Sequence, residues 1–68
     1  MMIQVTVNGA ARSLDRPLAV SALLEAMALA GKKVAVERNG EIVPRSAHGN
    51  TLLADGDQLE IVVAVGGG

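Results

Sequence analysis

The chain has 68 residues, half of them hydrophobic, with no aromatic residue, no cysteine and a formal net charge of −1. This length allows one domain with a thin core, and the nearly balanced charge argues against a nucleic-acid-binding surface. Without cysteine there are no disulfides or thiolate metal sites, and no apolar stretch reaches the ~20 residues that a membrane span needs. We therefore expect a cytoplasmic protein that binds neither nucleic acid nor membrane.

The first two elements are predicted to form a β-hairpin. Apolar and polar residues alternate over residues 2–7, which indicates a half-buried strand. Asn8-Gly9 follows, and this dipeptide favours a two-residue turn because both positions readily adopt positive φ. Residues 10–14 then form the returning strand, which ends before Pro17.

A helix is predicted over residues 20–30, because Val20, Leu23, Leu24 and Met27 share one face at helical spacing. The alanines at the end of this segment, Ala28 and Ala30, extend the prediction. Ser21 is the nearest residue of a type that caps helix N-termini, and Gly31 is placed to close the helix in a left-handed conformation.

Three further strands are predicted over residues 34–38, 41–43 and 58–65. Asn39-Gly40 is a second hairpin signal, and Asp55-Gly56-Asp57 is typical of a turn. Leu52 and Leu53 are expected to cover one end of the core. In the last strand we expect Val62 and Ala64 on the outer face of the sheet, away from the helix.

The order strand, strand, helix, strand, strand, strand predicts an α+β fold. We expect a mixed sheet of about five strands with one main helix packed across it. The right-handed crossover rule allows the first and last strands to lie parallel in the middle. Residues 1–65 would form the domain, and residues 66–68 a flexible glycine tail, because glycine loses the most entropy on ordering.

The chain resembles the ThiS family, the sulfur carriers of thiamine biosynthesis in the ubiquitin-like β-grasp superfamily. The resemblance rests on three segments in a fixed order: NGEIVPRS at 39–46, LADGD at 53–57 and EIVVAVGGG at 60–68. It extends over essentially the whole chain. Two positions depart from the family pattern, since His48 replaces a frequent tryptophan and Ala19 replaces a frequent threonine cap.

The resemblance implies a protein co-substrate and not an enzyme. A ThiF-type adenylating enzyme would use ATP and Mg²⁺ to convert the Gly68 carboxylate to an acyl-adenylate. Sulfur relayed from a cysteine desulfurase would then replace AMP and leave a thiocarboxylate. A ThiG-type thiazole synthase would take the sulfur for the thiazole ring of thiamine. The chain itself is expected to bind no cofactor and no metal.

The partners are expected to contact the tail and the surface beside it. Gly66 and Gly67 would let the backbone enter a narrow channel without side-chain clash, and three extended residues span roughly 10 Å. Exposed contiguous apolar surface often marks an interface. The remaining predicted partner-binding residues are therefore the apolar ones near the tail: Val62, Ala64, Ile42 and Val43.

Two other functions fit parts of the pattern. The small subunit of molybdopterin synthase uses the same terminal chemistry on a pterin, but such carriers are usually longer and richer in phenylalanine. A β-grasp adaptor that only docks on a larger protein would leave the tail inert.

Several isolated polar residues are predicted to have structural roles. His48 has no second histidine or cysteine beside it in the sequence, so we expect a turn or surface histidine and not a ligand. Lys32 and Lys33 suit the negative end of the helix dipole. Arg45 is either a solvated residue or a contact for an activating enzyme.

Overall fold

A computed structural model describes residues 1–64, which form a five-stranded mixed sheet with one α-helix. The strands β1 to β5 span Ile3–Val7, Ala10–Leu14, Val34–Arg38, Glu41–Val43 and Gln58–Val63, the helix α1 spans Val20–Ala26, and a 3₁₀ turn spans Arg45–Ala47. The order across the sheet is β2-β1-β5-β3-β4, with β5 parallel to β1 and antiparallel to β3. The predicted β-grasp architecture, with the first and last strands parallel in the middle, is confirmed.

The core lies between α1 and the inner face of the sheet. Its buried hydrophobic residues are Ile3, Val5, Val7, Leu14, Val20, Leu23, Leu24, Val36, Val43, Leu53, Leu59 and Ile61. Leu53 covers one end of the core as predicted, but the same prediction for Leu52 is wrong, since Leu52 is exposed. An isolated bridge pairs Ala19 with Leu52, and neighbouring residues of extended backbone point to opposite sides.

Both hairpin turns have the predicted geometry. Asn8 and Gly9 have φ of 51° and 85°, and Asn39 and Gly40 have φ of 52° and 85°. The flanking pairs show that each loop has two residues, because Val7 pairs with Ala10 and Arg38 with Glu41. Asparagine tolerates the left-handed region better than most residues with a side chain.

The helix is shorter than predicted and ends at Ala26. Ala28 takes the left-handed conformation with φ of 61°, and the N–H of Leu29 donates to the carbonyl of Leu24 at 2.8 Å. This Schellman closure turns Leu29 back against the core, and that packing outweighs the helix propensity of the alanines. Gly31, predicted to close the helix, has a positive φ in the next turn. Within residues 1–64, no helix is long and apolar enough to span a bilayer.

The N-terminus of the helix is capped by a loop and not by a side chain. The N-cap residue is Ala19, the cap position that the family resemblance implies, and not Ser21, and no side chain caps it. Instead, the N–H of Val20 donates to the carbonyl of Thr51, and the N–H of Ser21 donates to the carbonyl of His48, both at 3.0 Å. Backbone carbonyls of the connection before β5 therefore satisfy two of the free N–H groups of the first turn.

Candidate functional site

The predicted reactive residue, Gly68, lies outside the described residues, as do Gly66 and Gly67. The structure describes the chain as far as Ala64. Strand β5 ends at Val63. The next residue, Ala64, still pairs with the neighbouring chain segment, because its N–H donates to the carbonyl of Lys33 at 2.8 Å. The backbone ladder of the central strand therefore continues to the last described residue.

The sheet face turned away from the helix carries exposed apolar side chains near this end of β5. Val62 and Ile42 are each 64% exposed, and Ala64 and Ala35 are exposed as well. Val62 lies directly opposite Ala35 on β3. We call Ala35, Ile42, Val62 and Ala64 the outer-face patch. The structure thus brings together three of the four predicted apolar contact residues on one solvent-exposed face.

The fourth predicted contact residue, Val43, is not on this face, and that prediction is wrong. Val43 is buried in the core and pairs with Val36 of β3. Successive residues of a strand point to opposite faces, so the exposure of Ile42 places Val43 on the inner side. A partner that covers the outer face cannot contact the Val43 side chain.

Two glutamates lie beside the outer-face patch, and sequence reasoning missed them as a pair. Glu37 of β3 is directly opposite Glu60 of β5, and both are exposed. Hydrogen bonds join Asn39 N–H to the Gln58 carbonyl and Ala64 N–H to the Lys33 carbonyl. Because hydrogen-bonded pairs alternate with non-hydrogen-bonded pairs along an antiparallel ladder, Glu37 and Glu60 form a hydrogen-bonded pair, with Cα atoms about 5.5 Å apart. Like charges in this position destabilise a sheet. The sequence alternation indicates that each glutamate is on the outer face of its strand, but it does not give the strand register that pairs the two.

The other end of β5 is held by Asp57. Its carboxylate accepts hydrogen bonds from the N–H of Ala54 at 2.8 Å, from Nε of Arg38 at 2.8 Å and from Nδ2 of Asn39 at 3.1 Å. Burial alone would raise the pKa of Asp57, but the hydrogen bonds from Ala54, Arg38 and Asn39 outweigh burial and hold the pKa below its usual value. The predicted turn at this position is confirmed, with φ of 88° at Gly56.

The asparagines of both hairpin turns also bind β5. The side-chain amide of Asn8 donates to the carbonyl of Ile61 at 3.0 Å and accepts from the N–H of Ile61 at 2.8 Å. On the other side of β5, Oδ1 of Asn39 accepts from the N–H of Gln58 at 3.0 Å. Each asparagine therefore forms a turn and also fixes the central strand, a second role that only the register reveals.

His48 lies in a turn, which is one of the two positions predicted for it. Its side chain is buried, and Nε2 lies 3.2 Å from the carbonyl oxygen of Val43. Lys32, Arg45 and His48, together with Glu25, line an open cleft of about 290 Å³ beside the end of α1. Among residues 1–64, no group of three or more His, Asp or Glu side chains is arranged to hold a metal ion.

The sequence matches known proteins along most of its length. The model of the ThiS family matches residues 5–68. A thiazole synthase of Paramagnetospirillum magneticum is 44% identical over 66 residues, which are 97% of this chain and 20% of that protein. A thiazole synthase of Magnetococcus marinus is 35% identical over the same shares. This chain therefore spans a fifth of the length of these two relatives.

Relatives of similar length also match, and one of them has a solved structure. A protein of Pyropia yezoensis, the uncharacterised ycf40, is 33% identical over 97% of this chain and 93% of its own length. The crystal structure of the thiamine biosynthesis protein ThiS from Geobacter metallireducens superposes with a TM-score of 0.82 at 39% identity, covering 97% of this chain and all of that one. The chain therefore belongs to the ThiS family.

Proposed function

We propose that this protein carries sulfur, as a thiocarboxylate on Gly68, to the thiazole ring of thiamine. The observation that carries the proposal is the family match, because it runs from residue 5 through the three final glycines. The protein would act as a co-substrate, and its partners would supply the catalytic groups.

The chemistry takes place on the carbonyl carbon of Gly68. A carboxylate oxygen attacks the α-phosphorus of ATP on a ThiF-type adenylating enzyme, pyrophosphate leaves, and an acyl-adenylate forms. A persulfide sulfur relayed from a cysteine desulfurase then attacks the carbonyl carbon, and the bond to AMP breaks. A thiol then cleaves the S–S bond of the resulting acyl disulfide, so that the thiol is oxidised to a disulfide and a thiocarboxylate remains. ATP and Mg²⁺ belong to the activating enzyme, which stabilises the developing charge. A ThiG-type thiazole synthase takes the sulfur.

The folded part would deliver the tail to these enzymes. The fixed position of Ala64 on the central strand supports this role, because its N–H is bonded to Lys33 and the rest of β5 is held from both sides. The outer-face patch supports a docking role, since Val62 and Ile42 are large apolar side chains left in solvent on one face. Gly66 and Gly67 would pass through the enzyme's channel beyond it.

The thiazole pathway is favoured over the two other functions that the sequence left open. Two relatives are named thiazole synthases, and the structural neighbour is named a thiamine biosynthesis protein. These names support the thiazole ring as the destination of the sulfur, in preference to a pterin or to docking alone.

Intact-mass spectrometry tests the proposal. The purified chain is incubated with ATP, Mg²⁺, a cognate adenylating enzyme and a sulfur donor. We expect the chain to gain the mass that results when sulfur replaces one oxygen, and we expect this gain to require ATP. A chain that lacks Gly67 and Gly68 is the control and should gain nothing.

The same reaction distinguishes the alternatives. If the chain gains sulfur but transfers it to a molybdopterin precursor and not to the product of thiazole synthase, the protein acts in the pterin pathway. Binding to a cognate enzyme without any change of mass would support the docking adaptor and contradict the proposal.

A further inference from the structure

Glu37 and Glu60 lie on the outer face of the sheet beside the apolar side chains that a partner would cover. Ile42, Glu37 and Glu60 form one row across β4, β3 and β5, and Ala35 and Val62 form the neighbouring row. Adjacent strands are about 4.8 Å apart. A partner that contacts both Ile42 and Val62 therefore passes over Glu37 and lies beside Glu60.

The chain offers these carboxylates no cation of its own. Within residues 1–64 the one ion pair joins Arg38 to Asp57, and residues 65–68 contain no basic side chain. Lys33 shares the outer face of β3 but lies four positions from Glu37, about 13 Å along an extended strand. Within the described part of the chain, neither Glu37 nor Glu60 is therefore part of an ion pair.

An apolar partner surface alone would be a poor match for this face. Removing unpaired carboxylates from water is strongly unfavourable unless a cation and hydrogen bonds replace the water. A guanidinium group has five donors in a planar fork, and it can serve two neighbouring carboxylates at once.

We propose that thiazole synthase docks on the outer-face patch with an arginine that bridges Glu37 and Glu60. The arginine would lie inside an apolar footprint over Ile42 and Val62. The inference rests on the proposed function, because it describes how a partner of that function recognises the same face. Thiazole synthase is chosen because the domain matched here forms a fifth of two chains with that name.

Such an arrangement gives the two glutamates opposite effects in the free and bound protein. In the free chain they repel each other across β3 and β5, so neutralising them stabilises the fold. In the complex they hold the arginine, so neutralising them weakens binding. A purely structural role would not produce this combination.

The test uses Glu37→Gln and Glu60→Gln, singly and together, in the full-length chain. Glu25→Gln is the matched control, since Glu25 is an exposed glutamate on α1, on the other side of the sheet. Melting temperature and calorimetric affinity for a cognate thiazole synthase are measured at low and at high salt. We expect the double variant to melt about 1–5 °C higher, to bind about tenfold more weakly at low salt and to lose most of its salt dependence. Glu25→Gln should match the wild type in all three.

Equal affinity and equal salt dependence in wild type and double variant would overturn the inference, as would a loss of affinity for the adenylating enzyme alone. Intact mass after sulfur loading separates this failure from that of the proposed function. If both proteins gain sulfur and bind thiazole synthase equally, only the arginine contact is rejected. If the wild type gains no sulfur but shows the expected binding pattern, only the carrier chemistry is rejected. A wild type that does neither rejects both.

Discussion

The two ends of β5 are built differently. Around its start, from Asp57 to Ile61, six side-chain hydrogen bonds tie the strand to its neighbours through Asn8, Arg38 and Asn39, and through the Ala54 N–H. Around its end, none of the side-chain hydrogen bonds described within residues 1–64 involves residues 62–64. That end is held by its backbone ladder, and Val62 stays in solvent.

The two ends of this strand therefore have different roles: the start is the anchoring end, which fixes the strand in the sheet, and the end is the presenting end, which leaves side chains exposed. Side-chain hydrogen bonds fix the register and position of a strand. They require polar groups, and these groups cover the sheet surface where the bonds form. The start of β5 uses such groups to hold the strand in the middle of the sheet. The end leaves the apolar side chain of Val62 in solvent, on the face that we propose for partner docking. Substitutions at the two ends should therefore affect different properties.

Loss of the Asp57 carboxylate should have the largest effect. Asp57→Ala leaves the Ala54 N–H and the Arg38 and Asn39 side chains without their shared acceptor, and we expect the free energy of unfolding to fall by about 2–4 kcal/mol. Asp55→Ala is the control, because Asp55 is exposed and accepts a single hydrogen bond, from the Gln4 N–H. Urea titration measures both. Equal losses in the two variants would contradict an anchor centred on Asp57.

The Asn8 clamp should rank second. Asn8→Gly keeps the left-handed backbone of the turn but removes both hydrogen bonds to Ile61, and we expect a loss of about 1–2 kcal/mol. Asn8→Asp keeps the acceptor but sets a carboxylate oxygen against the Ile61 carbonyl, so it should lose stability at neutral pH and regain part of it in acid. Urea titrations at pH 4 and pH 7 measure this difference. A glycine variant as stable as wild type would show that only the backbone of the turn matters.

Much of this arrangement was predictable from local patterns. The alternation over residues 2–7, the two Asn-Gly turns and the DGD turn depend on neighbouring residues, and all three were predicted correctly. The parallel placement of β1 and β5 is one that the crossover rule allows. Patterns of this kind are decided by backbone geometry within a few residues.

The incorrect helix bounds and the contacts that the sequence did not predict share one physical cause, which is contact between distant parts of the chain. The helix ends early because Leu29 packs back on the core, and it starts without a side-chain cap because carbonyls of the His48–Thr51 segment bind its N–H groups. Val43 was placed on the surface because a three-residue strand has too little alternation to assign its faces. The Glu37–Glu60 pair and the two asparagine clamps needed the strand register, which no local pattern supplies.

Acid should weaken the anchored end with a defined pH dependence. The pKa of Asp57 is lower in the folded protein than in the unfolded chain, because hydrogen bonds from Ala54, Arg38 and Asn39 outweigh the effect of burial. The stability it contributes is therefore complete above the unfolded pKa of about 3.9 and is lost as the pH falls through the lower folded value. Asp57→Asn should lack this part of the acid dependence. Urea titrations from pH 7 down to pH 2 compare the two, and parallel curves would contradict the assignment.

The smallest effect on stability is expected at the presenting end, where Val62 and Val63 allow the same substitution on opposite faces. Val62 is largely in solvent, so Val62→Ala should change the free energy of unfolding by no more than about 0.5 kcal/mol. Val63 is half-buried on the inner face, so Val63→Ala should cost about 1 kcal/mol. Affinity for thiazole synthase should show the reverse order, with the loss at Val62. If both variants lost stability equally and bound equally well, the free apolar face would be a sheet surface without a partner, and the division of β5 into an anchoring and a presenting end would fail.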